Sequence, residues 1–175
     1  MREIRYAVAA SLDGHIAGPY GEYDWIDADT EVDFASIWSQ FDTLLIGRRT
    51  YDLAVQTRGK AAFTAFTGVT SFVLSRTLKP QEHPHVKVVH ELNADWVRGL
   101  KAQSGKDVWL FGSGDLFRSF LDAGLVDGVE VAVLPVLLGD GIPLLPPPYR
   151  PTKLRLISHH LYRSGRMSQT YEVQR

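Results

Sequence analysis

Thr43 to Ile46 form a short apolar run that stops at Gly47 and is followed at once by Arg48, Arg49 and Thr50. Glycine accepts backbone conformations that other residues avoid and lets a ligand approach the main chain. A helix starting there would add the free N–H groups of its first turn, from about Arg49 to Asp52, with a dipole that favours an anion. The two guanidinium groups add permanent charge and forked donors suited to phosphate oxygens. Phosphate binding is the chemistry implied; the alternative is a strand-to-helix turn with two solvated arginines. Ser75-Arg76, after the strand-like Thr70 to Leu74, repeats the arrangement, and Gly112-Ser113-Gly114 ends a further apolar run. A nucleotide with several phosphates would need more than one such turn.

Other chemistries lack their residues. The chain has no cysteine, which excludes disulfides, thiolate catalysis and cysteine-ligated metal. Six histidines are scattered, and His83/His85 and His159/His160 have no matched carboxylates, so they read as surface residues and no metal site is expected. Gly112-x-Gly114 has Phe117 where a dinucleotide fingerprint needs its third glycine, and it does not follow the first strand. A tight strand-to-helix turn is its alternative reading. Neither a Walker pattern nor a G-x-S-x-G elbow is present. A net charge of −1 gives no general attraction for nucleic acid, so binding charge must be local.

The elements that must position these turns alternate. Ile4 to Ser11 reads as the first strand, entered directly from the amino terminus without a signal segment. A Gly/Pro-punctuated loop follows, closing on Asp24-Trp25. Asp27 to Gln40 then reads as an amphipathic helix with Phe34, Ile37, Trp38 and Phe41 inward. After the Gly47 turn and its helix, Thr57 to Phe66 is left unassigned. Val86 to His90 is a short strand, Asn93 to Ser104 a helix capped by Asn93, Asp107 to Phe111 a strand, and Asp115 to about Ala123 a helix burying Leu116, Phe117, Phe120 and Leu121. Val129 to Leu138 is a long β-branched run; Leu154 to Tyr162 and Met167 to Val173 form a hairpin around Ser164-Gly165. At 175 residues this fits one domain, 1–175, with a mostly parallel mixed sheet, helices on both faces and an antiparallel end. No run reaches the roughly 18 apolar residues of a membrane span, so a cytoplasmic protein is expected.

In order along nearly the whole chain, Ser11 to Ala17, Asp24-Trp25, Ile46 to Tyr51, Leu74 to Arg76, Phe111 to Gly114, Gly124 to Asp127 and Leu134 to Gly141 resemble the dihydrofolate reductase-like superfamily. Within it, the closest resemblance is to the carboxyl-terminal reductase domain of bifunctional riboflavin-biosynthesis deaminase-reductases and to its stand-alone bacterial relatives. The resemblance implies NADPH, with Gly47, Arg48, Arg49 and Thr50 holding the adenosine 2′-phosphate and pyrophosphate and Ser75 and Arg76 beside the same ribose phosphate. Gly112, Ser113, Gly114, Asp115 and Leu116 would pass under the pyrophosphate and nicotinamide ribose. Ala9 and Ala10 would lie along the nicotinamide, bordered by Asp13, His15 and Ile16, with His15 and Trp25 toward the substrate. Two departures stand out: Gly112-Ser113 replaces the usual glycine pair, and the single carboxylate of dihydrofolate reductases has four candidates here, Asp27, Asp29, Glu31 and Asp33. Asp33 borders the apolar face of the expected helix, where partial burial would raise its pKa toward that of a proton donor; Asp13 is the second candidate. The expected activity is NADPH-dependent reduction of a small heterocyclic or ribosylamino-pyrimidine substrate by a homodimer, its interface formed by the Val129 to Leu138 run or the terminal hairpin. A folate or pterin reductase, or a non-catalytic nucleotide-binding protein, are the alternatives.

Overall fold

The computed structural model describes residues 1–59, 63 and 68–174. Its elements are, in chain order, β1 (Ile4–Ser11), β2 (His15–Ala17), α1 (Phe34–Ser39), β3 (Phe41–Gly47), α2 (Arg48–Arg58), β4 (Thr70–Leu74), β5 (Lys87–Val89), α3 (Ala94–Ala102), β6 (Asp107–Phe111), α4 (Gly114–Asp122), β7 (Gly128–Leu134), β8 (Ile142–Pro143), β9 (Leu154–Leu161) and β10 (Met167–Val173). Eight strands make one sheet in the order β5-β4-β3-β6-β1-β7-β10-β9, and β2 pairs with β8 beside it. The pairing is parallel from β5 to β7, then antiparallel through β10 and β9. The expected mixed sheet and terminal hairpin are therefore both present.

Strand alternation divides the core. Ile4, Tyr6 and Ala10 of β1 join Val97 and Leu100 of α3 and Phe117 and Phe120 of α4 in one buried cluster. Tyr6 stacks on Phe117 with ring centroids 3.9 Å apart. On the other face Leu44 and Ile46 of β3, Tyr51 of α2 and Trp109 of β6 form a second cluster, against which Ile37 and Trp38 of α1 pack. Each fully buried aliphatic or aromatic side chain contributes about 1.5–3 kcal/mol.

α3 is fixed locally as expected: the Asn93 side chain accepts the N–H groups of Asp95 and Trp96 at 2.8 and 3.1 Å, a cap worth about 1 kcal/mol. α1 is shorter than the expected Asp27 to Gln40 helix. It starts only after Asp33, Phe34 is half exposed, and Phe41 is already the first residue of β3. β7 also ends early, at Leu134, because Pro135 has no N–H to continue the ladder. The Thr57 to Phe66 segment opens with the last turn of α2; residues 60–62 and 64–67 lie outside the described residues. Phe63 is buried and stacks on Tyr51 at 5.2 Å. His83 and His85, expected on the surface, are half-buried, and both hydrogen-bond the Tyr51 hydroxyl, at 2.6 and 2.9 Å. His159 and His160 are exposed on β9.

At the amino-terminal end of the parallel strands the charges are paired across elements. Buried Arg2 bonds Asp42 and, at 2.6 Å, the Thr43 hydroxyl. Arg5 reaches Glu130 and Asp107, and Lys101 reaches Asp127 at 2.6 Å, whose carboxylate also accepts the Ile4 N–H. Among the described residues no helix is long and apolar enough to cross a membrane.

Candidate cofactor and substrate site

β4, β3 and β6 are neighbours, so their carboxyl ends lie side by side, Gly47 level with Leu74 and Ile46 with Phe111. The Gly47 N–H donates to the Gly112 carbonyl at 3.3 Å. Gly112 has φ +55°, the left-handed region, and a Cβ there would come 2.9 Å from Thr50 Oγ1. The first turns of α2 and α4 thus abut with no room for a side chain between them; the Gly112–Ser113 peptide is cis. The two helices also lack what α1 and α3 have. Asp33 and Asn93 cap α1 and α3 by side-chain hydrogen bonds, whereas Gly47 and Ser113, at the starts of α2 and α4, make none. Their first N–H groups keep their donors for a ligand, with the positive dipole end behind them.

The cations surround this edge. Arg48 bonds Asp52 through Nε at 2.7 Å and turns Nη1 toward Ser75 Oγ and Thr77 Oγ1 at 3.4 and 3.5 Å. Ser75 is buried, its hydroxyl accepting the Thr77 and Leu78 N–H groups, which fixes the turn that presents Arg76. Arg49 is exposed and 3.4 Å from Asp115, and Arg76 is exposed with no ion-pair partner among the described residues. Gly47 to Thr50, Ser75-Arg76 and Gly112 to Asp115 are therefore gathered at one edge. The Leu116 side chain is buried in the core, so only its backbone faces that edge.

The end of β1 is fastened differently. Ala9 is half-buried, Ala10 is buried in the core, and Ile16 packs against the same core cluster. The Asp13 carboxylate accepts Ser11 Oγ at 2.6 Å and the N–H groups of Gly139 and Leu138 at 2.7 and 3.2 Å. The Ser11 hydroxyl first, and the Gly139 N–H next, hold the Asp13 carboxyl well below the usual carboxylate range. It is a clamp between the loops after β1 and β7, ill suited to donate a proton. His15 Nδ1 lies 3.4 Å from Asp13, and the Trp25 indole N–H donates to the Glu22 carbonyl.

The acidic segment is turned toward the hairpin. Asp29 accepts Ser164 Oγ at 2.6 Å, Glu31 accepts the Arg163 N–H at 3.0 Å, and buried Arg166 donates to the Asp27 carbonyl at 3.2 Å. Asp33 is exposed and caps α1 through the Ser36 N–H at 2.9 Å, so the expected burial beside the apolar face does not occur. Asp27 is exposed as well.

What the sequence reading missed is the floor between these parts. In register across β1, β7 and β10 lie Ala7 beside Glu130 and Thr170, and Ala9 beside Ala132 and Ser168. All six are only half-buried although their strands are interior to the sheet, so this face is only partly covered, with Ala7 at the border of the second core cluster. The available signal was Ala7-x-Ala9 and Glu130-x-Ala132, small or acidic residues alternating with apolar ones in strands otherwise suited to a core. An apolar groove of about 720 Å³ lies on the opposite face, between α4 and the Pro146 to Pro148 segment.

The family profile described as the RibD C-terminal domain matches residues 2–167, and the chain belongs to that family. It is 31% identical over 172 residues to the uncharacterized protein YyaP of Bacillus subtilis (strain 168), covering 94% of this chain and 91% of that protein. A solved structure from Shewanella sp. PV-4, provisionally assigned to riboflavin biosynthesis, is similar over the whole of both chains, with TM-score 0.81 and 27% identity. The dihydrofolate reductase of Enterococcus faecalis, solved with NADP(H), superposes with TM-score 0.68 at 14% identity over 99% of this chain and 97% of that one, a likeness of fold. The fold is dihydrofolate reductase-like.

Proposed function

We propose that the chain is an NADPH-dependent reductase of a small heterocyclic or ribosylamino-pyrimidine substrate, acting as one domain over residues 1–175. The observation that carries this is the pair of uncapped helix starts at Gly47 and Ser113, meeting at one sheet edge among Arg48, Arg49 and Arg76. When bound, NADPH supplies the hydride. Arg48, Arg76 and Ser75 would hold the 2′-phosphate, and the backbone of Thr50 and of Gly112 to Leu116 would hold the pyrophosphate. This choice of NADP over NAD follows from the clustered guanidinium groups. Family membership supports a reductase, and the neighbour solved with NADP(H) supports the cofactor.

Ala9, at the carboxyl end of β1, would lie under the reacting ring, and the clamp through Asp13 would keep the loops around it in place. With Asp13 held ionised and Asp33 engaged as a helix cap, the proton would come from water reaching the open floor. The outward-turned segment from Asp27 to Asp33 speaks against a folate or pterin substrate, which requires a carboxylate from that segment inside the cleft. 5-Amino-6-(5-phosphoribosylamino)uracil is the substrate to try first. β7 is paired on both sides, so a homodimer formed through a strand would use β9, whose outer edge is unpaired among the described residues and which exposes Leu156, Ile157 and Leu161.

The test is fluorescence titration of NADPH and NADH against wild type, Arg48→Ala and Arg76→Ala. We expect NADPH to bind more tightly than NADH and each substitution to weaken it about tenfold, roughly 1.4 kcal/mol. Equal binding of the two nucleotides, or indifference to both substitutions, would overturn the cofactor assignment.

A further inference from the structure

We infer that Glu130 is the substrate-orienting carboxylate of this chain, an acceptor on the sheet floor that receives a ring N–H or amino group of a planar aminopyrimidine. The proposal rests on the reductase reading only for what lies beside the ring; the pocket itself stands on the register and bonding of β1, β7 and β10.

Glu130 sits level with Ala7 on β1 and Thr170 on β10, on the face where Ala9 and Ala132 leave the sheet partly uncovered and Ala7 borders the second core cluster. Its carboxylate is held from one side. Arg5 directs both Nε, at 2.5 Å, and Nη2 to the same oxygen, Oε1. Arg5 is fixed in turn by Asp107 at 3.1 Å, by Gln40 at 2.9 Å and by the Phe41 ring, 4.8 Å below its guanidinium carbon. Oε2 makes no hydrogen bond among the described residues, and the side chain keeps 21% of its exposure. A half-buried charged acceptor fixed by a forked guanidinium, with one oxygen unused, is pre-organised for a donor from outside the chain.

The surroundings select the shape of that donor. Three alanines in adjacent strands make a flat floor, and Ser168 and Thr170 place hydroxyl groups along one side. From Ala7 to Ala9 the strand rises about 7 Å, the length of a substituted six-membered ring. A ring anchored at Glu130 would therefore reach the carboxyl end of β1, beside the glycine turns. The carboxylate thus comes from β7, whereas the segment from Asp27 to Asp33 is occupied with the hairpin turn.

The probe is 5,6-diaminouracil, titrated calorimetrically against wild type, Glu130→Gln and Arg5→Met, with NADPH titrated against the same three. Glu130→Gln is expected to weaken the probe tenfold or more, and Arg5→Met less than threefold because the acceptor remains; NADPH affinity should stay within threefold in both. Equal losses in the two variants would make Glu130 a structural partner of Arg5 and overturn the proposal, as would undiminished binding by Glu130→Gln or no binding by wild type. In the unsubstituted protein, alanine-methyl NMR gives a second reading. The probe should shift Ala7, Ala9 and Ala132 but not Ala54 or Ala94, and the reverse pattern would also overturn it. Probe binding lost in Glu130→Gln by a protein that binds no NADPH would sink the reductase reading and leave this site standing.

Discussion

The two ends of the parallel strands use the same kinds of residue to opposite effect. At the amino-terminal end Arg2, Arg5 and Lys101 each meet a carboxylate on another element, and Arg2 and Lys101 are almost fully covered. At the carboxyl-terminal end the carboxylate that Arg48 meets, Asp52, is on its own helix, Arg49 sits 3.4 Å from Asp115 in the open, and Arg76 has no ion-pair partner among the described residues. Buried, cross-linked pairs hold elements together because either partner alone would be a stranded charge. Exposed cations beside uncapped helix starts do little for stability and keep their charge for a ligand. Arginine content is thus uninformative about function until its partners are known.

Breaking the covered end should give the largest effect. Asp42→Ala leaves buried Arg2 without its carboxylate and should cost about 3 kcal/mol in urea denaturation, with NADPH affinity unchanged. An equal loss from Arg76→Ala would erase the contrast. Salt sharpens it more gently: raising ionic strength from about 0.05 to 0.5 M should weaken NADPH binding several-fold while the unfolding midpoint barely moves, because exposed charges are screened and covered pairs are not. The smallest effect belongs to Asp13. Its carboxyl is held down in the folded protein, so it contributes stability above the unfolded value of about 3.9, and that contribution fades as pH falls through and below it. Asp13→Asn should therefore be less stable than wild type in urea melts at neutral pH, with the gap narrowing toward pH 3; a gap independent of pH would remove Asp13 from the clamp.

Much of this was legible because it is local. β1 and β6 follow from alternation, the α3 start from Asn93, and the strand-to-helix turn at Gly47-Arg48 from a glycine closing an apolar run. The α1 region was misread for a long-range reason. Its acidic residues look like a helix start, but Asp29 and Glu31 are captured by Ser164 and Arg163, more than a hundred residues later. Phe41 suited the helical period equally well, yet it pairs with Asp107 in the sheet. His83 and His85 appeared solvent-facing because nothing near them in sequence announces the Tyr51 hydroxyl they close over. The floor around Glu130 went unseen because openness above a strand depends on what fails to pack there, which strand periodicity does not encode.

The sheet order also sets a timetable for synthesis. β1 leaves the ribosome first, yet both of its neighbours are distant in the chain: Ile4 lies beside Val108, and Arg5 beside Gly128. A nascent chain therefore carries its central strand with both edges unpaired until β6 and β7 have emerged, and β10 and β9 close the sheet last. Such non-local pairing delays folding and exposes unfinished edges to wrong partners. The hairpin that completes the sheet also carries Ser164 and Arg166, which fasten the loop before α1. The candidate cleft is thus finished only after the last strands are made, and a chain cut short before them lacks the β10 side of its floor and the hairpin partners of the loop before α1.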